Sequence, residues 1–343
     1  MLWVDKYRPS LLQDLTYHQE LSNLLDVLAH RRDLPHLLFY GPPGAGKKTR
    51  LLCLLREVVG ASVTNVRVDS RSYKFGASSS TTVDVPIITS NHHIEVTPSE
   101  LPRYDRNIVQ ELIKEVASSK TMDTRGLGFK VIVINEVDRL SRGAQHALRR
   151  TMEKYMSSCR LVLVASSLSR VLEPVRSRCV CIGVPAPKEE DILAILKRVV
   201  RKENSSVSDQ FLHQIVENSD RNLRRALLSL ELSHVSGTIS RPDWEVYIEK
   251  IVEKVMQDQS PKSIATIRKM FYELLVHCVP ADVIFVALTK TLISKVSPTV
   301  HDAILTFAAT FQFNSVRGTK DIYHLEAFIV HVMAQLKRLQ FGV

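Results

Sequence analysis

No stretch of this 343-residue sequence approaches the roughly 20 consecutive apolar residues that a membrane-spanning helix needs. The opening residues, Met1-Leu2-Trp3-Val4-Asp5-Lys6-Tyr7-Arg8-Pro9, have no apolar stretch of signal-peptide length. Cysteine is scarce. Five residues, Cys53, Cys159, Cys179, Cys181 and Cys278, are too few and too scattered for a disulfide framework or a zinc site. Cys179-x-Cys181 is not zinc spacing, and strand alternation would put both on one face, so buried free thiols in a reducing compartment are expected. Internal repeats and low-complexity segments are also absent, and no basic stripe is interleaved with aromatics in the single-strand-binding manner. The expectation is a soluble intracellular protein.

What is present is apolar bulk and positive charge. With 45% hydrophobic residues the chain can bury sizeable cores, and its length suggests about two to three domains. A formal net charge of +10 fits either a polyanionic partner or a generically basic protein. Five short apolar or β-branched runs, at 37–40, 63–68, 131–134, 161–165 and 180–184, are separated by helix-like stretches. That alternation predicts a parallel sheet covered on both faces. Val109, Leu112, Ile113 and Val116 have helical spacing, as do Ala144, Ala147, Leu148, Thr151 and Tyr155, approximately. Residues 84–98 read as a hairpin around Asn91-His92, inserted before the third strand. After Pro185-Ala186-Pro187 the pattern turns all-helical, from Ile192, Ile195, Leu196 and Val199 to about Val235. A break at 236–242 precedes a last helical region, clearest at Leu325, Phe328, Ile329, Val332, Met333 and Leu336. The predicted division is an α/β nucleotide-binding domain over 1–184, a helical lid over 185–236 and a helical C-terminal domain over 237–343.

The chemistry lies in Gly41-Pro42-Pro43-Gly44-Ala45-Gly46-Lys47-Lys48-Thr49, between a strand-like and a helix-like run. This is a phosphate-binding loop. Its glycines let backbone N–H groups converge on phosphate oxygens, the helix N-terminus favours negative charge, and Lys47 reaches the outer phosphates. The next residue should offer Mg²⁺ a hydroxyl, yet it is Lys48. Thr49 is one residue late, turned by about 100° on a helix. Two unit charges 4 Å apart interact by about 4 kcal/mol at an effective dielectric of 20, and a divalent ion about doubles that. Lys48 is therefore expected to point away from the metal position or toward a phosphate. Further on, Asn135-Glu136-Val137-Asp138 follows an apolar strand, where such ATPases carry Asp-Glu to hold Mg²⁺ and orient water. Asn135 is a neutral amide and a weak cation ligand; its alternative role is to cap the strand. Glu136 remains as the residual acid. Bound ATP or ADP is expected, with Mg²⁺ weak or absent and hydrolysis doubtful.

The stretches 3–9, 41–49, 135–138, Ala147-Leu148-Arg149-Arg150-Thr151-Met152-Glu153, Ser177-Arg178-Cys179 and Tyr323-His324-Leu325-Glu326-Ala327-Phe328 together resemble the small subunits of replication factor C, the AAA+ sliding-clamp loader. The resemblance covers nearly the whole chain. Lys-Lys-Thr in the loop beside a degraded Asp-Glu box is similar to the ring-closing subunit that contributes little hydrolysis of its own. The resemblance implies an arginine finger at Arg178, reaching nucleotide on a neighbour, and a lid sensor at Arg224. It places Ser166 where the family usually keeps a water-positioning Asn, and Val4, Tyr7, Arg8 and Pro9 beside the adenine. It also turns Arg139, Arg142, Arg149 and Arg150 toward DNA in a central chamber. Each has a plainer reading: a surface ion pair for Arg178, a solvated face for the other arginines, core packing for Trp3 and Tyr7, and an intersubunit contact for Arg149 or Arg150 with Glu153.

The implied function is that of a nuclear subunit in a heteropentamer with the other replication factor C subunits. The complex would load the PCNA sliding clamp onto primer–template DNA in replication and repair. Two alternatives stay open: a hydrolysing motor subunit using Glu136, and a subunit shared with checkpoint or cohesion loaders.

Overall fold

The computed structural model describes residues 1–31, 34–75, 81–118, 129–205, 207–237 and 241–341. They form two compact units, Met1–Ile239 and Ser240–Val343. In the first, the strands are β1 (Leu37–Tyr40), β2 (Arg67–Phe75), β3 (Thr81–Thr89), β4 (His93–Val96), β5 (Lys130–Ile134), β6 (Cys159–Ala165) and β7 (Val180–Gly183). Its helices are α1 (Trp3–Lys6), α2 (Gln19–His30), α3 (Lys47–Val59), α4 (Asp105–Ser118), α5 (Arg142–Lys154), α6 (Glu173–Arg176), α7 (Glu189–Lys202), α8 (Asp209–Asn218) and α9 (Leu223–Ser236).

The strands make one sheet in the order β2-β3-β4-β5-β6-β1-β7. From β4 to β7 all neighbours are parallel, while β2-β3 and β3-β4 are antiparallel. Successive strand side chains point to opposite faces, so a doubly covered sheet needs apolar residues at every position. Leu38, Ile132, Ile134, Leu161 and Leu163 join α4 and α5 in one core. Their neighbours Leu37, Phe39, Val131, Val133, Val162 and Val164 join α2 and α3 in the other.

Two sequence expectations change. The predicted strand at 63–68 begins with a 3-10 turn, Ala61–Thr64, and only its end belongs to β2, an antiparallel edge strand. Its supposed place in the parallel sheet is taken by β4, whose residues pair with Val131–Ile134. The turn at 90–92 does link antiparallel β3 and β4, but β4 is a core strand rather than part of an insertion. The thiols divide as well. Cys53 and Cys159 are buried, Cys179 is half-buried just before β7, and Cys181 and Cys278 are exposed. Strand β7 is a sheet edge, so Cys181 lacks the neighbouring strand that encloses the residues of β1.

Helices α7, α8 and α9 share a separate core, Ile192, Leu196, Val199, Leu212, Ile215, Val216, Ala226, Leu227 and Leu230, closed by Trp3 from α1. Helix α9 ends at Gly237, whose positive φ of 71° provides the left-handed turn that commonly stops a helix. The second unit contains α10 (Asp243–Gln257), α11 (Pro261–Val276), α12 (Ala281–Lys295), α13 (His301–Arg317) and α14 (Asp321–Phe341) around one core. All six apolar positions singled out on α14 are buried there. Among the described residues no helix is long and apolar enough to cross a membrane.

Candidate functional site

A cavity of about 660 Å³ opens where the parallel strands end, inside the first unit. Open α/β sheets bind ligands at this carboxyl edge, beside the strand from which the chain changes direction. The loop after β1 supplies Pro43, Gly44, Gly46, Lys47, Lys48 and Thr49, the end of β4 Thr97, that of β5 Asn135 and Glu136, and that of β6 Ser166. Val4, Tyr7, Arg8 and Pro9 close one side, with Val199 of α7 and Leu223, Arg224 and Leu227 of α9. Gly41, Pro42 and Ala45 complete the loop without lining the cavity.

Backbone conformation makes the loop possible. Gly44 and Gly46 have φ of 75° and 88°, in the left-handed region. A Cβ on Gly44 would lie 1.7 Å from Asn222 Oδ1, and one on Gly46 2.4 Å from the Tyr17 hydroxyl. Asn222 caps α9, its side chain accepting from the Arg225 amide at 3.2 Å. The loop thus fits directly beneath the start of that helix. From below, Tyr17 donates its hydroxyl proton to the Ala45 carbonyl at 3.1 Å. The wholly buried Arg50 donates to Tyr17 O at 2.8 Å and to Ala45 O at 3.4 Å, and stacks 4.4 Å from the Tyr17 ring. Tyr17, Arg50 and Asn222 escaped the sequence reading because each lies outside the loop motif.

Helix α3 begins at Lys47, so the unpaired amides of its first turn face the loop. Lys47 Nζ donates to Gly41 O at 2.6 Å and Pro42 O at 2.9 Å. Burial holds its pKa below the ordinary lysine value; Asp138 works against that shift and Arg224 adds to it. Loop lysine and lid arginine are therefore within electrostatic reach of each other, a pairing suited to a polyanion.

The magnesium position holds a different arrangement. A divalent cation here would take oxygens from the residue after the loop lysine and from the strand-end carboxylate. Those positions are Lys48 and Asn135, and both donate to the same oxygen, Glu95 Oε1. Asn135 Nδ2 lies 2.7 Å from it and 3.4 Å from Thr97 Oγ1. An ammonium has no lone pair, and the Asn135 amide presents N–H. These residues do not fit Mg²⁺. Lys48 is paired instead with Glu95, which is buried on β4. Glu95 left one signal in the sequence: an acid at an inner position of His93-Ile94-Glu95-Val96.

Glu136 has a left-handed backbone, φ 52°, accepts from Ser99 Oγ at 3.0 Å and lies 3.5 Å from Arg139. The Ser166 amide donates to Asp138 Oδ1 at 3.2 Å, so buried Asp138 positions the turn after β6. Arg178 stands apart. It is not in the cavity lining; its Nε donates to Glu153 Oε1 at 2.7 Å and its Nη1 to Pro174 O at 2.7 Å. Arg142, Arg149 and Arg150 share the exposed face of α5 with Glu153, and Arg149 approaches that carboxylate at 4.0 Å.

The family described as "Replication factor C subunit 3, C-terminal domain" matches residues 244–340. "RCF1/5-like, AAA+ ATPase lid domain" matches 194–233, and "DNA polymerase III, delta subunit" matches 17–188. Replication factor C subunit 3 of Arabidopsis thaliana is 44% identical, across 98% of each chain. The human protein of that name is 42% identical, across 98% of this chain and 96% of its own. The chain belongs to the replication factor C subunit family. A RuvB structure from Thermotoga maritima, 15% identical, superposes with a TM-score of 0.50 over 73% of this chain and 79% of its own, a likeness of fold alone. The replication factor C chain thus has an α/β AAA+ fold, which is a nucleotide-binding fold, with a helical lid and a helical C-terminal region.

Proposed function

We propose that this chain is a clamp-loader subunit that retains ATP or ADP as a structural part, with Mg²⁺ weak or absent, and hydrolyses it poorly. The observation that carries the reading is the separation of two kinds of group. The phosphate cradle, Lys47 and Arg224 face the chain's own cavity, whereas Arg178 is held outside it on Glu153. Gly41 to Thr49, Asn135, Ser166 and Arg224 would hold phosphates, with Val4, Tyr7, Arg8 and Pro9 toward the base. Glu136 is the residual acid. Arg178 would serve nucleotide bound by a neighbouring subunit. Residues 1–184 and 185–236 would act as nucleotide domain and lid, and 237–343 as the collar that holds the ring.

In this role the chain joins the other replication factor C subunits in the nucleus, engages PCNA, and follows primer–template DNA through the arginines at 139, 142, 149 and 150. The decisive experiment is reconstitution with Arg178→Ala. Complex ATPase should fall by at least about tenfold, since a trans arginine contributes roughly 10³–10⁵ to related reactions. Nucleotide binding by this chain should not change. Undiminished complex ATPase would remove Arg178 from the mechanism. Robust turnover by the isolated chain, abolished by Lys47→Ala, would instead make it a motor subunit.

A further inference from the structure

We propose that Glu95 fixes Lys48 as a built-in cation in the metal position, so that nucleotide binds this chain without a divalent ion. The inference rests on the nucleotide reading above and extends it to the counter-charge.

Three observations converge on it. The two positions that would share a magnesium ion instead share one carboxylate oxygen, Glu95 Oε1, which locates Lys48 and Asn135 around a common point. Glu95 is almost wholly buried, with a side chain only 7% exposed, whereas that of Lys48 is 36% exposed toward the cavity it lines. A buried carboxylate needs a charged or hydrogen-bonding partner, and here the ammonium and the Asn135 amide provide both. Third, Lys48 cannot become a metal ligand by any rotamer change. Lys48 has no acceptor atom in its side chain, and the acid that would have to bind the ion is already engaged by it.

The arrangement is therefore a substitution of one cation by another. Mg²⁺ brings two charges that arrive with the nucleotide and leave with it. Lys48 brings one that is covalently part of α3 and held by β4. Glu95 is a positioning residue: it touches Lys48 and Asn135 and acts on the phosphates only through the lysine it orients. Binding of free ADP, rather than its magnesium complex, follows from this geometry.

The test is the affinity of the purified full chain for a fluorescent ADP analogue, measured in excess Mg²⁺ and in excess chelator. Thermal denaturation in parallel reports folding. The wild-type chain should bind as tightly or more tightly in chelator. The double variant Lys48→Thr with Asn135→Asp recreates a hydroxyl and an acid. It should bind about tenfold or more tightly with Mg²⁺ than without, the worth of one charge-assisted contact. Glu95→Gln, nearly isosteric, releases Lys48 and should weaken binding in chelator severalfold relative to wild type. Unchanged affinity in chelator by a variant that still melts cooperatively would remove Glu95 from the positioning role. Wild-type binding that weakens tenfold in chelator would overturn the proposal and leave the nucleotide reading intact. No saturable binding by the wild-type chain in either buffer would overturn both.

Discussion

Lys48 shows how one residue change spreads through a site. On β4, Glu95 would be a buried, uncompensated charge without it. Removing one partner of a fully buried pair costs about 3–5 kcal/mol. Lys48 is partly exposed, so water screens the pair, and Lys48→Ala should destabilise the first unit by about 1–2 kcal/mol in urea denaturation. An unchanged midpoint would mean that Asn135 alone satisfies the carboxylate. Gly46→Ala tests the loop differently. Its Cβ would meet the Tyr17 hydroxyl at 2.4 Å while its φ stays at 88°. Nucleotide affinity should fall by about tenfold or more, because the hydrogen bond that seats Ala45 is displaced. Little of this was visible in the motif. The loop and Asn135 were legible because backbone chemistry demands glycine and metal chemistry demands acid. Glu95, Asp138, Tyr17 and Arg50 act across long stretches of chain, and single-sequence spacing does not encode which of them meet.

Among the elements, the legible ones were those whose burial leaves a compositional mark. Strands β1, β5 and β6 are enclosed on both faces and read as apolar runs; α4 and α14 read by their helical stripes. Strand β2 is a largely exposed edge, with Arg67, Asp69 and Arg71 along it, and such a strand has no apolar signature to find. In β4 the polar His93 and Glu95 alternate with Ile94 and Val96, the pattern of a half-exposed strand, although all four are buried. Two sheet histidines give these elements a pH dependence. His93 on β4 and His36 just before β1 have pKa values held below the ordinary 6.5, chiefly by burial. His36 Nδ1 accepts from the Leu161 amide at 3.0 Å, which requires that nitrogen unprotonated. Unfolding releases both rings to ordinary values, so below about pH 6.5 the unfolded chain binds more protons than the native one. Stability contributed by the neutral rings is complete above that pH and declines as pH falls toward the depressed native values. The urea midpoint of the first unit should therefore be lower near pH 5.5 than near pH 7.5, and His36→Asn should narrow the difference. An equal decline in wild type and variant would assign the effect to other groups.

At the scale of the whole molecule, the exposed face of α5 carries Arg142, Arg149 and Arg150, a small part of the charge behind the net +10. Its arginines are not equivalent. Arg149 approaches Glu153 at 4.0 Å, and Arg139, on the preceding turn, approaches Glu136 at 3.5 Å. Among the described residues Arg142 and Arg150 have no ion-pair partner, so their charge is undivided. Binding to a phosphate backbone releases about one counterion per phosphate neutralised, so the slope of log affinity against log salt counts working cations. In the assembled loader, Arg142→Gln with Arg150→Gln should reduce that slope by about 1–2 without altering sequence preference. Arg139→Gln with Arg149→Gln should reduce it less, because each of those arginines must first leave a carboxylate. Equal slopes for wild type and both double variants would take DNA away from this helix. Glu153 adds a link that the same measurement can read. It meets Arg149 on its own helix and Arg178 from beyond it, so Glu153→Gln frees both at once. If Arg149 faces DNA and Arg178 a neighbour's nucleotide, that one change should steepen the salt dependence of DNA binding and alter complex ATPase together. A shift in ATPase with an unchanged slope would separate the two surfaces.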